Sequence, residues 1–305
     1  MYINRMKEFI ISKNDTDIRL DKFMMRVMPN SKSGDIYKAL RKKKVRVNGK
    51  HQGGDYRVSV GDTVCMYIND EFFGDEKKAY SWMSASYDIS VVYEDENILV
   101  ADKPSGMLSQ DENEDSLEGR IRSYLYKKGE IDMEAKPLFI PSLCHRIDRN
   151  TSGLVIAAKN SAALRILNDK IKNKEIRKFY LCETENAPNP KKGTIEGFLL
   201  KDERTRKMSF HKSEVKGSSY CKSEYKTIKT GEKNLLEVEL LTGKTHQIRA
   251  SLSHIGCPLL GDVKYGAKNN GEKDFQHLVS YRLIFDFKTD AGILEYLNGK
   301  EIVRN

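Results

Sequence analysis

Apolar residues recur at helical spacing early in the chain. Leu20, Phe23, Met24 and Val27 follow the i, i+3, i+4, i+7 pattern of a helix with one buried face. Asp17 stands where an N-cap is expected. After Pro29 and Ser31-Lys32-Ser33, Ile36, Ala39 and Leu40 predict the buried face of a second helix. Val45 and Val47 then alternate with polar neighbours and enter Asn48-Gly49, a pair that favours a tight hairpin turn. Gly61-Asp62 marks another turn, and Val64, Met66 and Ile68 alternate in a closing strand. Residues 71–88 show no clean period and read as a linker, with Phe72, Phe73, Tyr80 and Trp82 able to order it.

From Ile89 onward strands and helices alternate. Val91–Tyr93 and Ile98–Ala101 are rich in β-formers, with Glu94–Asn97 as their turn. Leu154–Ala158 is short, wholly apolar and suited to a strand buried on both faces. Ser161–Lys174 carries Leu164, Ile166, Leu167 and Ile171 at mostly helical spacing. Leu235–Leu241 and Leu283–Phe287 predict further strands. Many strands with few helices point to an α+β fold rather than a doubly wound sheet.

Composition narrows the class. At 305 residues the chain has the length of about two domains. Its uninterrupted apolar stretches fall far short of the about 20 residues a membrane span requires, and MYINRMKEFI lacks the apolar core of a secretory signal. Five cysteines (Cys65, Cys144, Cys182, Cys221 and Cys257) lie far apart without a CxxC pair. That pattern disfavours zinc ribbons and suits reduced thiols in a cytoplasm. The formal net charge is +9, and residues 1–70 hold 15 Lys and Arg against 8 Asp and Glu. The excess therefore sits mainly in the first module, and a polyanion is the expected partner, nucleic acid before membrane. From Lys38 to Lys50 there are seven basic residues and no acid. Solvated faces usually mix signs, so Arg41, Lys42, Lys43, Lys44, Arg46 and Lys50 are candidate RNA-phosphate contacts.

The sequence RLDKF…S…A-L-RKKKVRVNGK…GD-T-V over about residues 17–70 resembles the small RNA-binding domain of the ribosomal protein S-four type. That resemblance implies structured RNA without naming an activity.

The densest polar segment of the larger half is His145-Arg-Ile-Asp148-Arg-Asn-Thr-Ser-Gly153, which runs into the apolar strand. A carboxylate flanked by Arg146 and Arg149 at the mouth of a buried strand suits either a working acid or a pair that fixes a loop. Four more segments stand out: Asp102-Lys-Pro-Ser-Gly-Met107, Ile176-Arg-Lys-Phe-Tyr-Leu181, Leu240-Leu-Thr-Gly-Lys-Thr-His-Gln-Ile-Arg249, and Gly256-Cys-Pro-Leu-Leu-Gly-Asp262 with Tyr265-Gly266. Together the five closely resemble the pseudouridine synthases of the RluA/RluC/RluD type, over about residues 17–290. The resemblance implies a fold with a mixed, largely antiparallel sheet, and isomerisation of uridine to pseudouridine, mostly in large-subunit (23S) ribosomal RNA. It also implies roles. Asp148 matches the catalytic aspartate, Arg249 the arginine paired with it, and Tyr180 the tyrosine packed on the uracil. Arg146 matches the arginine that helps displace the base. Lys244, His246 and Gln247 join Arg146 as candidate substrate-binding residues, and His145 and His246 are expected to brace their loops. Ile147, Asn150 and Lys244 depart from the usual Leu, Asp and Arg; Lys for Arg weakens a bidentate phosphate contact.

Residue chemistry agrees with that reading. Reactant and product are isomers, so neither a redox cofactor nor an energy donor is required. No dinucleotide, nucleotide-triphosphate or metal motif occurs, and no cofactor or metal is expected. The expected organisation is an RNA-binding domain at 1–70, a linker at 71–88 and a catalytic domain at 89–305, acting as a cytoplasmic monomer. Two alternatives are a transfer RNA pseudouridine synthase and a non-catalytic RNA-binding or ribosome-assembly factor.

Overall fold

The computed structural model describes residues 6–12, 15–73, 81–111, 115–131, 139–269 and 275–304. The first module contains β1 (Lys7–Ile10), α1 (Leu20–Val27), α2 (Ser33–Arg41), β2 (Val45–Val47) and β3 (Thr63–Met66). Its antiparallel sheet runs β1-β3-β2. Phe23, Met24 and Ile36 from the helices meet Val45, Val47, Val64 and Met66 from the sheet in one buried cluster. Asn48 and Gly49 both take positive φ, as the tight turn requires.

Asp17 does not cap α1. Arg19 holds the N-cap position without a side-chain cap. Asp17 instead has φ 61, and its carboxylate pairs with Arg57 of its own module and with Arg165. Nearby, Phe139 N–H donates to Asp15 Oδ1 at 2.5 Å, and Ser161 Oγ donates to Thr16 O at 2.5 Å. The segment 15–17 is thus docked on the larger domain. Phe73 is buried in the module's core and Trp82 in the core of the larger domain, so the expected linker 71–88 is anchored near both ends. Tyr80, in the same stretch, lies outside the described residues.

The larger domain contains β4 (Ser90–Glu94), β5 (Ile98–Lys103), α3 (Leu117–Lys127), β6 (Ser142–Leu143), β7 (Ser152–Ala158) and α4 (Ser161–Lys172). It continues with β8 (Ile176–Thr184), β9 (Lys192–Asp202), β10 (Lys207–His211), β11 (Ser219–Lys229), β12 (Asn234–Leu240), α5 (Gln247–His254), β13 (Leu278–Phe285) and β14 (Glu301–Val303). One sheet runs β10-β9-β11-β12-β8-β13-β7-β5-β4, with β14 on β13 and β6 on β7. Its pairings are antiparallel except β13 with β7, the mixed, largely antiparallel sheet expected of an α+β fold.

The apolar run of β7 is explained by burial on both faces. Leu99, Ala101, Val155 and Ala157 pack with α3 on one side, while Ile98, Val100, Leu154 and Ile156 pack with α4 on the other. Where β7 meets β13, Gly153 adopts φ 111, and a Cβ there would lie 2.1 Å from Ser280 O. Only glycine lets the two backbones come so close, and this junction sits five residues after Asp148.

Candidate functional site

A pocket of about 410 Å³ opens at the centre of the large sheet. Its walls come from the loop before β7, from β8 and from the loop joining β12 to α5. Asp148, Tyr180, Arg249, Arg146, Lys244 and His246 all line it, so segments up to a hundred residues apart converge.

Neighbouring hydrogen bonds fix the Asp148 loop on both sides. Ser109 Oγ donates to Ile147 O at 2.8 Å and accepts from Ile147 N at 3.2 Å. Arg149 Nε donates to Gly106 O at 2.9 Å, and Gly106 N returns a bond to Arg149 O at 2.9 Å. Lys103, fully buried, donates to the carbonyls of Pro104, Met107 and Arg149 at 3.0, 2.7 and 2.8 Å. Burial pulls its pKa down to about 8, against the opposing influence of Asp148 and Asp102. Arg149 therefore holds the loop through Gly106. The charged partners of Asp148 come from α5 and the loop before it. Arg249 Nη1 lies 3.4 Å from Oδ2, and His246 Nε2 lies 3.9 Å from the same oxygen.

Arg249 has a stronger partner. Its Nε and Nη2 donate to the two oxygens of Asp262 at 2.7 and 2.8 Å, a buried bidentate pair. Its third nitrogen is what reaches Asp148. Burial lowers the guanidinium's pKa, but the hydrogen bond and charge of Asp262, with the charge of Asp148, outweigh it and leave it raised. Tyr265 packs against the guanidinium at 4.8 Å from ring centroid to Cζ.

Tyr180 reaches the pocket by strand alternation along β8. Its neighbour Phe179 packs against Arg177 and Arg282, at 5.0 and 4.1 Å, while Tyr180 joins the core cluster under the pocket. Burial and the nearby Asp148 charge push its phenol pKa up, opposed by Ser280. Tyr180 is therefore a neutral phenol, a flat apolar face with a proton still on its oxygen.

Arg146 and Lys244 are exposed at the rim. Among the described residues neither side chain has an ionic partner. Gln247 also lines the pocket. It is 2% exposed. Its Oε1 accepts from Thr242 Oγ1 at 2.8 Å and Lys244 N at 3.1 Å, and its Nε2 donates to Lys222 O at 2.9 Å and Ser223 Oγ at 2.8 Å. An amide side chain offers two donors and two acceptor sites, so no capacity remains for substrate; Gln247 shapes the loop that presents Lys244 and His246. His145 accepts from Ile156 N at Nε2, 3.2 Å away, and ties its loop to β7 as expected.

Lys103, Asp262 and Tyr265 lie inside the motif segments, but nothing in their spacing shows which atoms they meet.

In the first module, Arg41, Lys42, Lys43, Arg46 and Lys50 are exposed and Lys44 is half-buried, around the end of α2 and along β2. Among the described residues, no group of three or more His, Cys, Asp or Glu side chains is arranged to hold a metal, and no helix is long and apolar enough to cross a membrane.

These features coincide with the outcome of comparison with known proteins. The RNA pseudouridylate synthase family profile matches residues 97–254, and the S4 domain profile matches residues 18–64. An uncharacterized RNA pseudouridine synthase of Mycoplasma capricolum subsp. capricolum is 33% identical over 304 residues, covering 98% of each chain. The ribosomal large subunit pseudouridine synthase C of Rickettsia felis is 31% identical over 299 residues, covering 93% of this chain and 91% of that one. Human RNA Pseudouridylate Synthase Domain Containing 4 shares the fold, with a TM-score of 0.57 at 20% identity over 71% of this chain and 88% of the human one. The chain belongs to the RNA pseudouridine synthase family, of the RluA/RluC/RluD type with an N-terminal S4 domain. It is an enzyme of that family, and its substrate is RNA.

Proposed function

We propose that the chain isomerises specific uridines of large-subunit ribosomal RNA, with Asp148 as the working carboxylate. The observation that carries the catalytic part is the meeting of the Asp148 carboxylate, the buried Arg249 and the buried Tyr180 in a single pocket. The naming of the Rickettsia felis relative for the ribosomal large subunit supports the choice of ribosomal over transfer RNA.

The reaction breaks the bond from C1′ to N1, turns the uracil and joins C1′ to C5. C5 then loses its proton and N1 gains one, so atoms and electrons balance without a co-reactant. Breaking the glycosidic bond calls for a carboxylate beside the sugar, as base or nucleophile. Asp148 occupies that role, with Arg249 holding Oδ2. The detached base must be retained while it turns, and the face of Tyr180 provides a surface for it. A uridine in a helix is shielded, so it has to leave its stack. Arg146, exposed and without an ionic partner, fills the space it vacates. Lys244 contacts phosphate at the rim. The pocket is lined by six cations and two carboxylates, a balance suited to a polyanion. Arg41, Lys42, Lys43, Lys44, Arg46 and Lys50 of the first module add further phosphate contacts and raise affinity.

Mapping pseudouridine across ribosomal and transfer RNA from cells with and without the protein tests the proposal. Sites lost from the large-subunit RNA alone support it. Sites lost only from transfer RNA refute the choice of substrate.

A further inference from the structure

His246 has φ 51, a left-handed conformation that a non-glycine residue keeps only when its surroundings demand it. That turn sets the imidazole between two groups on different elements. Nδ1 lies 2.8 Å from the Tyr265 hydroxyl, and Nε2 lies 3.9 Å from Asp148 Oδ2. The rings of His246 and Tyr265 meet edge to face, with centroids 5.6 Å apart.

The hydroxyl's other partner settles who donates. Met208 N–H donates to the Tyr265 oxygen at 2.8 Å. A phenol has one proton to give, and among the described residues the acceptor within reach of it is His246 Nδ1. Nδ1 therefore accepts, and a neutral imidazole carries its proton on Nε2, facing Asp148. The groups around the ring are Asp148 from its loop, Arg249 from α5, Asp262, Lys264 and Tyr265 from the following turn, and Lys244 from its own loop. Burial holds the imidazole's pKa below its ordinary value; Asp148 and Asp262 oppose this, while Arg249 and Lys264 add to it.

Arg249 Nη1 reaches the same oxygen, Oδ2. Among the described residues no hydrogen bond reaches Oδ1. We infer that His246, its tautomer set by Tyr265, is a positioning residue that holds Asp148 Oδ2 with a neutral N–H donor and turns Oδ1 toward the ribose of the bound uridine. The inference rests on Asp148 as the working carboxylate. The 3.9 Å separation is longer than a hydrogen bond, as catalytic contacts commonly are before substrate binds. A neutral donor orients the carboxylate without neutralising it, which an imidazolium would do.

Two measurements on the full chain test this. Long-range proton–nitrogen NMR of histidine-labelled protein, with His246→Gln to assign the signal, reads the tautomer directly. The expected result at neutral pH is a proton on Nε2 alone, and a mixture in Tyr265→Phe. Single-turnover kinetics at saturating RNA then compare His246→Ala with His246→Gln, which keeps an N–H donor. His246→Ala is expected to lose about ten- to a hundredfold in rate at saturating RNA, the scale of a displaced reacting group. His246→Gln should recover much of that loss. In Tyr265→Phe the acid limb of the rate profile should move to higher pH, because protonation of Nδ1 is no longer opposed. A proton on Nδ1, an imidazolium at neutral pH, or a full rate in folded His246→Ala would overturn the inference. Equal loss in the Ala and Gln variants would also overturn it. Turnover by Asp148→Asn would instead remove the reading of Asp148 itself, and would leave the NMR result standing.

Discussion

Replacing Asp262 by Asn tests how the buried arginine is held. The Arg249–Asp262 pair is bidentate at 2.7 and 2.8 Å, with side chains 9% and 1% exposed. Asn keeps the shape and one acceptor oxygen. It also sets an amide N–H₂ against a guanidinium donor and removes the nearer counter-charge of a buried cation. Breaking one side of such a pair costs about 3–5 kcal/mol, and the retained acceptor places this variant near the lower end, at about 3 kcal/mol. Urea unfolding of the variant beside the wild type measures that loss. Arg249 should then swing toward Asp148, its remaining carboxylate, and draw it from its working position. The single-turnover rate at saturating RNA should fall about tenfold or more, as a displaced reacting group would require. Arg249→Met added to Asp262→Asn should recover part of the stability without restoring the rate, since it removes the stranded charge together with the group that orients Asp148. Stability within about 1 kcal/mol of wild type with an unchanged rate would refute this account, because a buried arginine cannot lose the nearer of its two carboxylates so inexpensively.

Gly153→Ala should lose about 3 kcal/mol in urea unfolding, since its Cβ would press on the Ser280 backbone at a positive φ; a change below about 1 kcal/mol would mean β7 and β13 separate freely. The triple variant Lys42→Gln, Lys43→Gln, Arg46→Gln alters exposed positions and should bind RNA with a log–log salt slope smaller by about 2–3, while the saturated rate stays level; an unchanged slope would exclude these residues from phosphate contact. Burial, with Lys178 adding to it, pushes His145 down to about 3. The unfolded imidazole takes up a proton at about 6.5, so below that pH the unfolded chain binds more protons and stability falls toward pH 3. His145→Gln should flatten that slope when unfolding is compared at roughly pH 4.5 and pH 7.5.

The sequence made legible whatever depends on local period or contiguous motif. The helices at Leu20–Val27 and Ser161–Lys172 and the buried strand Ser152–Ala158 follow from apolar spacing. Asp148, Tyr180 and Arg249 were reached through motif strings, and they share one pocket. Contacts across space stayed hidden. Asp262 looks like a loop acid until the turn after α5 folds it back onto Arg249. Asp17 has an N-cap's sequence position, but its left-handed backbone sends its carboxylate to Arg165. Gln247 lines the pocket, yet its amide is engaged by Thr242, Lys244, Lys222 and Ser223, contacts that its place in the motif string does not show.

The central claim is that Asp148 carries out the isomerisation. Purified Asp148→Asn is nearly isosteric with the wild type, and should unfold at a similar urea concentration and bind RNA with similar affinity. Given a large-subunit ribosomal RNA fragment containing a mapped site, the wild type should convert its uridine to pseudouridine in a single turnover. The variant should form none over many wild-type half-lives. Appreciable pseudouridine from a pure, folded Asp148→Asn preparation would contradict the account.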